Sequence, residues 1–369
     1  METLYPKLIL DALTNVRYPG NGKNIVELGL VEDDIRIDGS KVSFSLIFDR
    51  PTDPFVKSLV KAAETAINTY ISPEVEVKGN VAVKFRNANP APAKENPLPG
   101  VKNIVGVSSG KGGVGKSTVA SNLAVALARQ GYKVGLLDAD IFGPSVPKMF
   151  GVEDAPIYME NVDGRDMIVP VEKYGVKLLS IGFLVDRNAP VLWRGAMASR
   201  ALNQLITEAN WGELDYFLID MPPGTSDIHL TLVQTLGVTG VVIVSTPQEV
   251  ALADARKGVA MFTDDKVNVP VLGIVENMAW FTPAAHPDER YYLFGKDGAV
   301  RLAEELGVKV LAQIPIGGTI CEGGDAGEPI ALQDTITGEA FSELARNVVK
   351  AIDERNSALP PTAKVETHS

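Results

Sequence analysis

The chain has 369 residues, 45% of them hydrophobic and 22% charged, an ordinary globular balance with room for two domains of unequal size. Its net charge of −11 argues against nucleic acid or an anionic membrane as the principal partner, and no apolar run approaches the ~20 residues needed to span a bilayer. Cys321 is the one cysteine, which excludes an intrachain disulfide; with no charged-then-apolar leader at the N-terminus, the cytosol is the default compartment.

Residues 1–86 predict a small α/β unit. Ile35, Ile37, Val42, Phe44, Leu46 and Phe48 alternate around Asp38-Gly39, the pattern of a tight β-hairpin. Pro54 opens a helix whose Val56, Leu59, Val60, Ala63 and Ile67 form one apolar stripe, and residues 75–85 alternate again as a strand pair or one long strand. This unit contains neither His nor Cys, so docking suits it better than chemistry. Residues 87–100 follow with Pro90, Pro92, Pro97 and Pro99, a stiff linker that reaches roughly 40 Å at about 3 Å per residue.

From 101 to 355, short apolar runs alternate with helical patterns. The strands are expected at 103–109, 134–137, 216–219, 241–244, 271–275 and 310–314, which predicts an α/β fold with a doubly wound, mostly parallel sheet. Residues 157–171 interrupt the rhythm as a hairpin insertion around Asp163-Gly164. The helix 338–354 presents Phe341, Leu344, Val348 and Ile352 on one face, and residues 356–369, with Pro360 and Pro361, read as a disordered tail.

The richest stretch is Gly110-Lys111-Gly112-Gly113-Val114-Gly115-Lys116-Ser117-Thr118. It meets the phosphate-loop pattern between an apolar strand and a helix at 119–130, which sets a helix N-terminus beneath the phosphates. The glycines let successive N–H groups turn inward, Lys116 brings a point charge to the β/γ-phosphates, and the Ser117 hydroxyl suits Mg²⁺. Lys111 sits too early in the loop to share that task within its own chain.

Carboxylates follow two predicted strands, where open α/β sheets bind ligands. Asp138 and Asp140 follow 134–137; Asp220 ends 216–219 and leads into Met221-Pro222-Pro223-Gly224-Thr225-Ser226-Asp227. Asp220 is the candidate Mg²⁺ ligand, Asp140 the candidate for positioning an attacking water, and Asp138 a support for the loop. Gly224 N–H is expected to meet a γ-phosphate, and Asp227 to cap a helix.

These motifs closely resemble the Mrp/ApbC iron–sulfur cluster carriers, within the MinD/ParA-like ATPases that share the deviant phosphate loop. The resemblance rests on 110–118, Asp-Ala-Asp-Ile-Phe-Gly-Pro-Ser at 138–145, 220–227, Val-Glu-Asn-Met at 275–278 and Gly-Gly-Asp-Ala-Gly-Glu-Pro at 323–329. The N-terminal unit, with Asn-Ile-Val-Glu-Leu-Gly-Leu-Val at 24–31, resembles the SufT-like assembly domain. What the resemblance implies is an ATP-hydrolysing homodimer that serves iron–sulfur apoproteins and assembly factors. Lys111 then reaches the partner chain's nucleotide, Asn277 reads the adenine edge, and Gln313-Ile314-Pro315 lines the base.

The family pattern also implies a Cys-x-x-Cys pair after Glu276-Asn277-Met278, so that two subunits bridge a 4Fe–4S cluster. Here 277–295 has no cysteine, nor is there one near Thr52-Asp53-Pro54. Three readings stay open: Cys321 of both chains, with His286 or a small thiol, holds a labile cluster; the protein promotes assembly without holding one; or the cargo differs. A MinD/ParA-like positioning ATPase is the rival function, but it needs a basic amphipathic helix or a cationic surface.

Overall fold

Nine residues from Val101 to Ser109 are buried from Ile104 onward, the burial of a strand covered on both faces. They form the centre of the larger of two units, 96–369; the smaller is 1–95. The computed structural model describes residues 4–19, 22–48, 55–85, 97–141, 143–184, 195–283, 285–286 and 288–360.

In the smaller unit, α1 (Pro6–Leu13) precedes β1 (Arg36–Asp38), β2 (Lys41–Phe48), α2 (Val56–Tyr70) and β3 (Val81–Phe85). The expected hairpin forms with Asp38 opposite Lys41, and Gly39 at φ 61° takes the left-handed turn position. Val42, Phe44, Leu46 and Phe48 meet Ile9, Leu13, Leu59, Ala63 and Ile67 in one core. The expected strand 75–85 is broken: Glu76 makes a single parallel bridge to Lys41, Gly79 at φ 78° turns the chain, and Val81–Phe85 then pairs in parallel with β2. Pro54, Thr52, Asp53 and linker positions 87–96 lie outside the described residues.

The larger unit opens with β4 (Val101–Ser109), α3 (Lys116–Arg129), β5 (Val134–Asp138) and the single turn α4 (Val146–Met149). The hairpin of β6 (Tyr158–Val162) and β7 (Arg165–Val169) then stands as its own two-stranded sheet. Asp163 at φ 50° and Gly164 at φ 83° close it, as anticipated. A second hairpin was not foreseen: β8 (Val171–Lys173) turns at Tyr174 and Gly175 into β9 (Val176–Ser180), which pairs in parallel with β5.

There follow α5 (Gly195–Thr207), β10 (Leu214–Pro223), α6 (Asp227–Thr235), β11 (Gly240–Ser245), α7 (Glu249–Thr263), β12 (Val271–Glu276), α8 (Gly298–Leu306), β13 (Val310–Gln313), α9 (Gly318–Ala326) and α10 (Ile336–Ala358). The sheet order is β13-β12-β11-β4-β10-β5-β9-β8, parallel except for the edge strand β8.

Both faces are covered. Val119, Leu123 and Leu127 of α3 pack with Phe341, Leu344, Val348 and Ile352 of α10 over one face. Leu202, Leu232, Val259, Phe262 and Leu302 from α5 to α8 cover the other. A doubly wound sheet of this kind opens its ligand crevice at the carboxyl ends of the strands. α10 runs through residues 356–358, against the tail expected from 356, and Asn356 Nδ2 bonds Asn103 Oδ1 at 2.9 Å, holding the last turn to β4. Positions 361–369 lie outside the described residues. Among the described residues no helix is long and apolar enough to cross a membrane.

Candidate active site

The loop 110–115 leaves β4 at the middle of the sheet, and α3 begins at Lys116, earlier than the expected 119. Two close approaches explain why glycine stands at its ends. A Cβ on Gly110 would run into the α7 backbone at Asp254 and Ala255. Gly115, at φ 84°, has Asn277 Nδ2 where its Cβ would be. Between them, the N–H groups of Gly112, Gly113, Gly115 and Lys116 meet no acceptor among the described residues. Inward-turned donors at the start of a fourteen-residue helix make an anion cradle.

Lys116 is 6% exposed and lies among oxygens: Asp220 Oδ1 at 2.5 Å, Ser117 Oγ at 3.2 Å and Asp140 Oδ2 at 3.7 Å. The structure thus gathers Lys116, Ser117, Asp140 and Asp220 at one point, from α3, the loop after β5 and the end of β10. Asp220 is fully buried, and burial raises its pKa against the lowering pull of Lys116. Its Oδ2 is buried with no hydrogen-bond partner among the described residues. An orphaned carboxylate oxygen beside a serine hydroxyl is the hard donor set that Mg²⁺ takes, so Asp220 and Ser117 fit such an ion.

Asp138 is buried and accepts from Asp140 N–H at 3.1 Å, Val146 N–H at 3.3 Å and Ser180 Oγ at 2.9 Å. Burial, and then the charge of Asp220, push its pKa up to about 8. Those three bonds pin the turn that carries Asp140.

Two expectations need correction. Gly224 N–H is not open to a phosphate: it donates to Ser109 O at 2.9 Å, because β10 runs on beside β4 as far as Pro223. Asp227 is not a cap; Ser226 occupies the N-cap of α6 and Asp227 is its first residue. Asn277 is buried beside the loop, its Nδ2 donating to Val114 O at 2.8 Å, so the residue expected at the adenine also braces the loop. Gln313 is likewise tied, its Nε2 donating to Glu276 Oε1 at 2.8 Å and Asp297 Oδ1 at 3.2 Å, while Pro315 is buried. Thr118 stays with α3, its carbonyl accepting from Asn122. Lys111 is half-buried, and its ammonium meets no partner among the described residues.

The family described as NUBPL iron-transfer P-loop NTPase matches residues 100–349, and that described as iron–sulfur cluster assembly protein matches 7–83. An iron–sulfur cluster carrier protein from Synechocystis is 43% identical over 92% of this chain and 96% of its own. The chain belongs to the iron-transfer P-loop NTPase family. Among solved structures, a nucleotide-binding protein from Archaeoglobus fulgidus in complex with ADP is 40% identical, with a TM-score of 0.56, over 64% of this chain and 91% of that one. The cell division ATPase MinD of Pyrococcus furiosus is 26% identical, TM-score 0.51, over 67% of this chain and 98% of its own.

In this P-loop NTPase the place where the resemblance implies a Cys-x-x-Cys is built from aromatics instead. Phe281 and Tyr291 exchange backbone hydrogen bonds at 2.8 Å, and the Arg290 guanidinium stacks 4.2 Å over the Trp280 ring. Cys321 lies on α9, exposed, its Sγ 3.7 Å from Asp325 Oδ2 one turn on. His286 is exposed and its Nδ1 stands 3.5 Å from Glu289 Oε1. Among the described residues no set of three or more His, Cys, Asp or Glu side chains is arranged to hold a metal ion.

Two site residues escaped the sequence reading. Glu276, fully buried, accepts from Ala299 N–H at 2.6 Å at the start of α8 and from Gln313, which fixes the strand end that presents Asn277. His229, 1% exposed, reciprocates the Ser226 cap. The Ser-x-x-His spacing at 226–229 was its one visible signal, being that of a capping box with His in place of Glu or Gln.

Proposed function

We propose that this chain works as a homodimer that binds and hydrolyses ATP and carries iron–sulfur clusters to apoproteins in a reducing compartment such as the cytosol. The observation that carries the reading is the open amide cradle with Lys116, Ser117 and Asp220 converging beside it. Family membership supports the coupling to iron–sulfur transfer. Mg²⁺, held by Ser117 and Asp220, would supply charge neutralisation for the phosphates. Asp140, 13% exposed at its side chain, has the reach to orient a water, and Lys111, whose ammonium has no partner among the described residues, suits a role across the dimer.

The cargo is constrained by the donor set. One exposed thiol per chain gives a dimer two thiolates, whereas clusters normally take four. A small thiol or the client's own cysteines would complete the shell. The same count favours a second reading, an ATP-dependent assembly factor that does not itself hold a cluster. A membrane-positioning role loses support, because the apolar face of α10 is buried against α3.

The deciding experiment is anaerobic reconstitution with iron and sulfide of wild type and Cys321→Ala, read by visible absorption and iron per chain. A cluster held by wild type and lost from the variant is expected. Retention of the full cluster by Cys321→Ala would remove Cys321 from the ligand set, and no cluster in either protein would leave the assembly-factor reading standing.

A further inference from the structure

His229 bonds to two segments of the site, the end of β4 and the turn after β10. Its Nδ1 accepts the Ser226 backbone N–H at 3.1 Å and stands 3.1 Å from Ser226 Oγ. Its Nε2 lies 3.5 Å from Ser108 Oγ. Burial lowers its pKa, so the ring is neutral and has one donor and one acceptor nitrogen. With Nδ1 accepting from Ser226, the proton belongs on Nε2. Phe262 packs against the ring with centroids 6.1 Å apart, restricting its rotation.

Consider what these contacts hold. Ser108 is two residues from Gly110, where the phosphate loop begins. Pro222 and Ser226 bracket the turn that follows Asp220. The β4–β10 ladder pairs Asp220 with Val107 and Pro223 with Ser109, and beyond it Gly224 N–H donates to Ser109 O at 2.9 Å. Resting on the reading of this chain as an ATP hydrolase, we propose that His229 is a positioning residue that sets the register between the 220–226 turn and the phosphate loop. Its hydrogen bonds go to Ser226 and Ser108, not to Lys116, Ser117 or Asp220. It acts by holding Asp220 and the turn at a fixed distance from the loop's amides, where displacement by about 1 Å costs about 100-fold in rate.

Two isosteric variants separate the two ends of the ring. His229→Asn keeps an acceptor near the Nδ1 position, and therefore the Ser226 cap, but cannot reach Ser108. His229→Gln places an amide N–H near the Nε2 position and keeps that reach. The expected result is that His229→Asn lowers kcat about 10- to 100-fold with ADP affinity and melting temperature near wild type, and that His229→Gln recovers most of the rate. Wild-type kcat in His229→Asn, no recovery in His229→Gln, or parallel loss of ADP affinity and stability in both would each overturn the proposal. Side-chain ¹⁵N NMR of the full chain reads the ring independently of turnover, with a single neutral tautomer protonated on Nε2 expected. If wild type does not hydrolyse ATP, the function reading fails, whereas an Nδ1-protonated ring defeats the positioning role alone.

Discussion

Replacing Asp220 by Asn should make nucleotide binding stronger without metal and weaker in its response to metal. In the structure the Lys116 ammonium, at 6% exposure, spends its closest contact on Asp220 Oδ1 at 2.5 Å. A phosphate must compete with that carboxylate for the lysine. Hydrogen bonds to charged groups contribute about 1.5–3 kcal/mol, and Asn keeps the acceptor oxygen while losing the charge, so the lower end applies. At about 1.4 kcal/mol per decade, metal-free ADP should bind Asp220→Asn roughly tenfold more tightly than wild type. The same substitution removes the carboxylate oxygen that has no hydrogen-bond partner among the described residues, so the gain in affinity on adding Mg²⁺ should shrink by a similar factor. Isothermal titration of ADP in EDTA and in Mg²⁺, for both proteins, measures the two effects together. The reasoning fails if Asp220→Asn binds metal-free ADP no better than wild type, or keeps the wild-type response to magnesium.

Lys111→Ala should lose ATP turnover by about 1,000-fold or more, on the order seen for a charge supplied in trans, while ADP affinity stays within a few-fold. Turnover at the wild-type level would dismiss the trans role. Gly110→Ala should destabilise the protein by several kcal/mol, on the order of overpacking against backbone, since its Cβ meets α7, whereas Gly112→Ala meets nothing within 4 Å and should be tolerated; thermal unfolding of both checks this, and equal melting temperatures would contradict it. Because Asp138 is raised to about 8 from 3.8, the folded state retains a proton that the unfolded chain releases, so this group's contribution to stability declines as pH rises from about 4 to 8. Removing the Asp220 charge lessens that decline, so Asp220→Asn should gain stability relative to wild type between pH 5.5 and 8.5; urea midpoints that diverge the other way would show the sign to be wrong.

Much of the site was legible because its information is local. The phosphate loop needs glycines, a lysine and a hydroxyl at fixed spacing along a few residues, and Asp140 and Asp220 were found by their position just after apolar runs. The inserted hairpin was equally plain, since Asp163-Gly164 satisfies a turn on its own. β9 was missed because Val176–Ser180 is a short run directly after the Tyr174-Gly175 turn, past the expected insertion, and was assigned to no strand. Its membership of the central sheet is visible only in its pairing with β5.

The remaining differences lie in polar groups whose partners are far away in sequence. Nothing in Glu-Asn-Met tells that the Asn277 amide will meet Val114 O, 163 residues earlier, or that Gly224 N–H will be taken by Ser109. Backbone conformation, turn chemistry and apolar periodicity are properties of neighbouring residues, so the amino-acid order alone determined the elements, the loop and the nature of its charges. Which oxygen Lys116 faces, which N–H groups stay open and why His229 is neutral depend on how strands β12, β11, β4 and β10 lie side by side, because hydrogen bonds and desolvation act through space over a few ångströms regardless of distance along the chain.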